Sequence, residues 1–272
     1  MHSPNEIKHI IAAAHAAADV ARDAILPYFR MDALAADNKY APGAATESVF
    51  DPVTVADREA ESAMRGILAH LRPNDAILGE EFAAQTGTSG LTWVLDPIDG
   101  TRGFLAGTPT WGVLIAAVDA SGPIYGIIDQ PYTAERFEGG LGRREMTGPS
   151  GARTLRARGS RPLGEATVMT TFPSVGTPDE EAAFARVADG ARMVRYGYDC
   201  YAYALLAMGQ IDLVIEAGLN SYDICAPIAV IEGAGGIVTD WQGGPAHAGG
   251  RVVAAAGAAQ HAAALAILGN VS

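Results

Sequence analysis

The chain has 272 residues, of which 49% are hydrophobic, with 32 glycines, 15 prolines and a formal net charge of −12. That length can bury a sizeable core, and the composition suits a compact globular protein with many turns. The acidic balance argues against nucleic acid as a non-specific partner, because binding a phosphate backbone needs Lys and Arg, and no apolar run approaches a membrane span.

From the N-terminus, Ile7, Ile10, Ile11, Ala14, Ala18, Ala21 and Ile25 recur at three- and four-residue steps and predict an amphipathic helix over 5–30. Residues 37–50, which include Lys39 and a Pro-Gly pair, read as a loop or flap. A second helix is expected from Asp57 to Leu71, burying Ala60, Met64, Ile67 and Leu71, and Pro73-Asn74 ends it. Ile77-Leu78 predicts a short strand that leads into Gly79-Glu80-Glu81. Residues 111–119 and 123–130 read as paired strands around a glycine turn. Helices are then expected over 179–192, 200–208, 223–233 and 260–268, with strands over 212–216, 237–240 and 251–255. No repeat or low-complexity linker divides the chain. It reads as a single domain over 1–272, with any subdivision falling between packed halves of about 1–150 and 151–272.

Two cysteines, Cys200 and Cys225, are too few for a disulfide framework and lack metal-ligand spacing, so buried thiols in a reducing cytoplasm are expected. Residues 1–6 lack the basic and apolar segments of a signal peptide. All six histidines lie away from the acidic motifs, which argues against a zinc site or a Ser-His-Asp hydrolase.

Residues 93–104 read Trp-Val-Leu-Asp-Pro-Ile-Asp-Gly-Thr-Arg-Gly-Phe. An apolar run delivers Asp96 and Asp99 into a turn, and Gly100-Thr101 opens a short helix. Hard divalent cations such as Mg²⁺ take carboxylate and carbonyl oxygens. A glycine followed by free N–H groups at a helix start takes an anion. A metal seat beside a phosphate seat is the minimum for metal-assisted phosphoryl chemistry. An ordinary Asp-Pro/Asp-Gly turn is spelled the same way, so the reading depends on carboxylates elsewhere. Asp57 and Asp223 stand at predicted helix starts, and Glu80 and Glu81 at a strand end. Helix caps or a solvated turn account for each alone, but not for the set. The net charge agrees, since an acidic chain binds phosphate only where cations invert the local field.

In order and spacing, Val-Thr-x-Ala-Asp57, Gly79-Glu80-Glu81, Asp96-Pro-Ile-Asp-Gly-Thr101, Tyr222-Asp223 and the Gly-Ala-Gly-Gly of 233–236 resemble the inositol monophosphatase superfamily across about 5–268. The resemblance implies an α/β fold of the layered αβαβα sandwich type, a homodimer, and hydrolysis of a phosphate monoester with two to three Mg²⁺ ions per site. Carried over, Glu80, Asp96, the backbone oxygen of Ile98, Asp99 and Asp223 hold the metals. Glu80 also contacts a more weakly bound ion near the nucleophilic water, which Asp57 and Thr101 position and activate. The N–H groups of Gly100 and Thr101 hold phosphate oxygens.

Arg102-Gly103 departs from the Thr-Asn usual in inositol monophosphatases and resembles histidinol-phosphate phosphatases and 3′(2′),5′-bisphosphate nucleotidases. Asp129-Gln-Pro131 with Glu135-Arg-Phe137, Tyr196 to Tyr203, and Leu213 to Gly218 look like the bacterial histidinol branch. L-histidinol phosphate carries an ammonium and an imidazole, so its pocket should offer carboxylates beyond the metals. Asp199 and Glu216, beside Arg102, are the candidate substrate contacts. A bisphosphate nucleotide would want a further Lys/Arg cluster, which is not seen. Lys39 is placed to reach the phosphate or steady a third metal, although an exposed lysine is the plainer reading. The alternatives are inositol 1-phosphate, a bisphosphate nucleotide, and, from another class, an RNA-associated regulatory role. The intact acidic set argues against the last.

Overall fold

The computed structural model describes residues 2–32, 34–38, 52–269 and 271. The first third runs α1 (Pro4–Ile25), β1 (Ala36–Asn38), β2 (Pro52–Thr54), α2 (Val55–Leu71), β3 (Ala76–Gly79), β4 (Thr92–Asp99) and α3 (Thr101–Leu105). A meander follows: β5 (Gly112–Asp119), β6 (Gly122–Gln130), β7 (Glu135–Gly140), β8 (Arg143–Gly148) and β9 (Gly151–Thr154). The rest comprises β10 (Thr167–Thr170), α4 (Pro178–Asp189), β11 (Met193–Tyr196), α5 (Asp199–Ala207) and β12 (Leu213–Leu219). Then come α6 (Ser221–Gly233), β13 (Ile237–Asp240), β14 (Gly250–Ala255) and α7 (Ala258–Leu268).

β3 to β9 form a seven-stranded sheet in sequence order, and a five-stranded sheet has the order β11-β10-β12-β14-β13. β1 and β2 pair with each other, and the intervening flap, with Lys39, lies outside the described residues. Both faces of each large sheet are covered over its central strands, so strand alternation sends successive apolar residues into different layers. Trp93, Leu95, Val113 and Ile115 pack under α1 and α2, whereas Val94, Leu114 and Ile128 pack against α5 and α6. Val214, Val252 and Ala254 of the second sheet close that middle layer from the other side. Leu213, Ile215, Val253 and Ala255 face α4 and α7. The stack is helix, sheet, helix, sheet, helix, as the αβαβα expectation has it. No described helix is long and apolar enough to cross a membrane.

Several local expectations need correction. α1 stops at Ile25, short of residue 30. Leu71 is 44% exposed, and Leu68 takes the buried place expected of it. Pro227 lies in the second turn of α6, where its missing N–H leaves the Asp223 carbonyl without its i+4 partner. Strands β7 to β11 were not anticipated: β8, β9 and β11 are rich in Arg, Glu and exposed positions and carry no apolar alternation.

α6 lies almost on the seven-stranded sheet. A Cβ at Gly126 would sit 2.5 Å from the Ala226 carbonyl oxygen, and one at Gly139 2.4 Å from that of Ala229. Glycine alone lets backbone approach backbone this closely. The contact brings the first turn of α6, and with it Asp223, to the end of β4.

Candidate metal and phosphate site

Asp96 and Asp99 are three residues apart and would point to opposite faces of a regular strand. β4 avoids this with a bulge: its pairing with β5 slips by one residue between Asp96↔Leu114 and Asp99↔Gly112. The bulge accommodates Pro97 in an interior strand and re-aims the second carboxylate. Oxygens of Asp96, Asp99 and Asp223 consequently lie within 4.8 Å of one another. Asp96 Oδ1 accepts the Ile98 N–H at 3.1 Å, and Asp99 Oδ2 accepts the Cys200 N–H at 2.6 Å. The Thr101 hydroxyl donates to the Ile98 carbonyl at 3.1 Å, which leaves that oxygen a second lone pair. Gly100 turns the chain into α3 at φ 84°, a left-handed conformation suited to glycine.

Asp57 and Asp223 are not N-caps. Each is the N3 acid of a capping box whose caps are Thr54 and Asn220. Asp57 Oδ2 accepts the Thr54 N–H at 2.8 Å and its hydroxyl at 2.6 Å, and Asp223 Oδ2 accepts the Asn220 N–H at 2.6 Å. Asp57 Oδ1 is buried with no hydrogen-bond partner among the described residues, and burial, with the Glu81 and Glu80 charges, pushes its carboxyl up to about 6. Asp57 sits behind the cleft wall, not on it.

Glu80 reaches the Asp96 carboxyl. Its turn is held by Glu61, a buried α2 residue that accepts the N–H groups of Glu81 at 2.7 Å and Phe82 at 3.3 Å while pairing with Arg65. Sequence reading missed Glu61; its only signal was a carboxylate beside the buried stripe of Ala60 and Met64.

These groups line a cleft of ≈340 Å³. Its lining also includes Arg102, Thr171, Phe172, Asp199, Tyr203 and Glu216, with Asp199 packed against Gly100. Asp199 holds a left-handed backbone at φ 44°, and its carboxyl is pushed up to about 6 by burial and opposed by Arg102. Glu216 accepts Thr171 N–H at 2.7 Å, Thr171 Oγ1 at 3.0 Å and Thr170 Oγ1 at 3.1 Å. Burial still pushes Glu216 up to about 7. Phe172 and Tyr203 were not foreseen. The Tyr203 hydroxyl is buried without a partner among the described residues.

The donor set fits a hard divalent cation. Burial first, then the charges of Glu80, Asp99 and Asp223, push Asp96 well above the ordinary carboxylate range. Burial, Asp199 and Asp223 do the same to Asp99. Carboxylates so crowded remain ionised only when a cation shares their charge. Their oxygens, beside the Ile98 carbonyl, match the preference of Mg²⁺, whereas no histidine joins them and burial keeps the Cys200 thiol protonated.

A sequence profile of the inositol monophosphatase family matches residues 6–271. The chain is 42% identical over 246 residues to the bifunctional phosphatase IMPL2, chloroplastic, of Arabidopsis thaliana, spanning 89% of this chain and 67% of that one. It is 34% identical over 215 residues to the histidinol-phosphatase of Mycobacterium tuberculosis, spanning 78% and 83%. A solved inositol monophosphatase from Zymomonas mobilis has a TM-score of 0.84 at 38% identity, covering 98% of this chain and 100% of its own.

Proposed function

The chain belongs to the inositol monophosphatase family of metal-dependent phosphatases, and from that membership and the acidic cleft we propose that it hydrolyses L-histidinol phosphate to L-histidinol and phosphate with Mg²⁺. The observation that carries the substrate is a pair of cleft carboxylates beyond the four proposed metal acids: Asp199, packed against Gly100, and Glu216, held by Thr170 and Thr171. An ammonium and an imidazole are met there by negative charge, which a neutral polyol does not need. The similarity to the histidinol-phosphatase of Mycobacterium tuberculosis supports the same reading. A second reading, inositol 1-phosphate, is favoured by the likeness to the Zymomonas mobilis enzyme.

In this proposal Glu80, Asp96, Asp99, Asp223 and the Ile98 carbonyl hold two to three Mg²⁺. A bound divalent cation neutralises phosphoryl charge and makes water more acidic. Gly100 and Thr101 N–H groups orient the phosphate oxygens. Thr101 and Asp57, the latter with a buried Oδ1 that has no partner among the described residues, position and activate the attacking water. Arg102, Asp199 and Glu216 orient the leaving group. Water attacks in line, so no residue forms a covalent intermediate. The family also leads us to propose a cytoplasmic homodimer.

Phosphate release from L-histidinol phosphate, inositol 1-phosphate and adenosine 3′,5′-bisphosphate, each with Mg²⁺ and with chelator, tests the proposal. Highest kcat/KM on the first ester is expected. Highest kcat/KM on either of the others would overturn the substrate assignment, and no release from any would overturn the enzyme.

A further inference from the structure

Among the described residues, Phe172 is the one large apolar side chain of the cleft that stays substantially open, 48% exposed, while lining the same cavity as Asp199 and Glu216. Its position is well fixed. The preceding residue, Thr171, gives both its N–H and its hydroxyl to Glu216 Oε1, and the following residue is Pro173, which confines Phe172 to extended backbone. The Arg102 guanidinium lies 5.2 Å from the ring centroid, so the ring is already used as a surface for a planar cation. The part of the ring left open at the cleft is apolar surface that a stacking ligand would remove from water.

Resting on the substrate reading above, we infer that Phe172 is a specificity-determining residue whose ring stacks on a planar, ring-bearing leaving group while Asp199 and Glu216 meet its positive charge. The arrangement selects heteroaromatic cations over polyols: a saturated inositol ring offers no π-face to stack, and its hydroxyls gain little from an apolar wall. Glu216 and Phe172 are coupled through Thr171, so the charge-reading and ring-reading groups keep a constant spacing.

The test compares wild-type enzyme with Phe172→Leu, which keeps apolar bulk without a ring, and Phe172→Trp, which keeps the ring. The readouts are the ratio of kcat/KM for L-histidinol phosphate to that for glycerol 2-phosphate, the same ratio for phenyl phosphate, and calorimetric binding of L-histidinol. Stacking of this kind contributes a factor of roughly ten. The ratios and the L-histidinol affinity should fall by about that factor in Phe172→Leu and be retained in Phe172→Trp. If the wild-type enzyme releases no phosphate from L-histidinol phosphate, the substrate reading falls, and the phenyl phosphate ratio decides the role of Phe172 alone. Unchanged ratios in Phe172→Leu, equal losses in both variants, or no preference for ring-bearing esters in the wild type would overturn the inference.

Discussion

Gly126→Ala tests whether the close seating of α6 is what places Asp223. The added Cβ would lie 2.5 Å from the Ala226 carbonyl oxygen and 2.9 Å from Ala226 Cα, both backbone atoms that no rotamer change can clear. Ordinary contact begins near 3.4 Å, so α6 must retreat by about 0.9 Å. Overpacking of this size costs about 1–3 kcal/mol. Misplacing a reacting constellation by roughly 1 Å costs about a hundredfold in rate. Gly126→Ala should therefore lower Mg²⁺ affinity and kcat/KM together, by about two orders of magnitude in the latter, with a fall of several degrees in Tm. Mg²⁺ calorimetry, phosphate release and thermal unfolding give the three readouts. Gly66→Ala, where nothing lies within 4 Å of the new methyl group, is the control and should be neutral or slightly stabilising. Native Mg²⁺ affinity and turnover in Gly126→Ala would refute the reasoning, because α6 would then accept a methyl group without displacing Asp223.

Asp96→Asn replaces a buried, crowded acid with a neutral isostere. It should abolish Mg²⁺ binding and phosphate release while raising the metal-free denaturation midpoint, and retained metal affinity would count against the site. Glu61→Ala leaves the half-buried Glu81 N–H and the more exposed Phe82 N–H without their acceptor, loosens the turn that carries Glu80, and should weaken Mg²⁺ binding in a calorimetric titration. The raised carboxyls of Asp57, Asp199 and Glu216 make the folded chain hold more protons than the unfolded one between about pH 4 and 7. Metal-free stability should thus fall as pH rises through that window, and the gain from Mg²⁺, about 2.7 kcal/mol at a hundredfold excess over Kd, should grow with it. A Tm measured in chelator that is flat with pH would contradict this. Tyr203→Phe removes a buried hydroxyl that has no partner, so chemical denaturation should show unchanged or greater stability.

The clustered acids in and behind the cleft were legible in sequence because each sits where a regular element begins or ends, and such junctions leave short-range marks. Asp96 and Asp99 close an apolar run, and Asp57 and Asp223 open helical periodicity. The marks misassigned the acids by a few positions, from N-cap to N3, since both roles place an acid in the first turn. The five layers followed from the family resemblance; in the structure each buried strand's alternate residues enter different clusters. Glu61, Phe172 and Tyr203 were not legible. Glu61 is distinguished by the turn of residues 79–82 folding back over α2, and Phe172 and Tyr203 by two chain segments meeting across the cleft. No local pattern encodes either event. β8 and the edge strand β9 were silent for another reason, since residues that face water carry no apolar period.

The bulge in β4 makes the spacing between Asp96 and Asp99 a matter of length more than of identity. Residues 97 and 98 contribute a slipped register and one carbonyl, so substitutions there leave both acids on the same side of the sheet. Deleting either residue would restore even pairing and still leave two acids, but a different backbone twist would carry the second one. Inserting one would put the acids four residues apart, on one face but, at about 3.3 Å per residue, too far along the strand to share an ion. A random library across 97–98 should therefore retain function in many point variants and in almost no length variants. The segment between the two acids is protected against mutation of its letters and exposed to a change in their number.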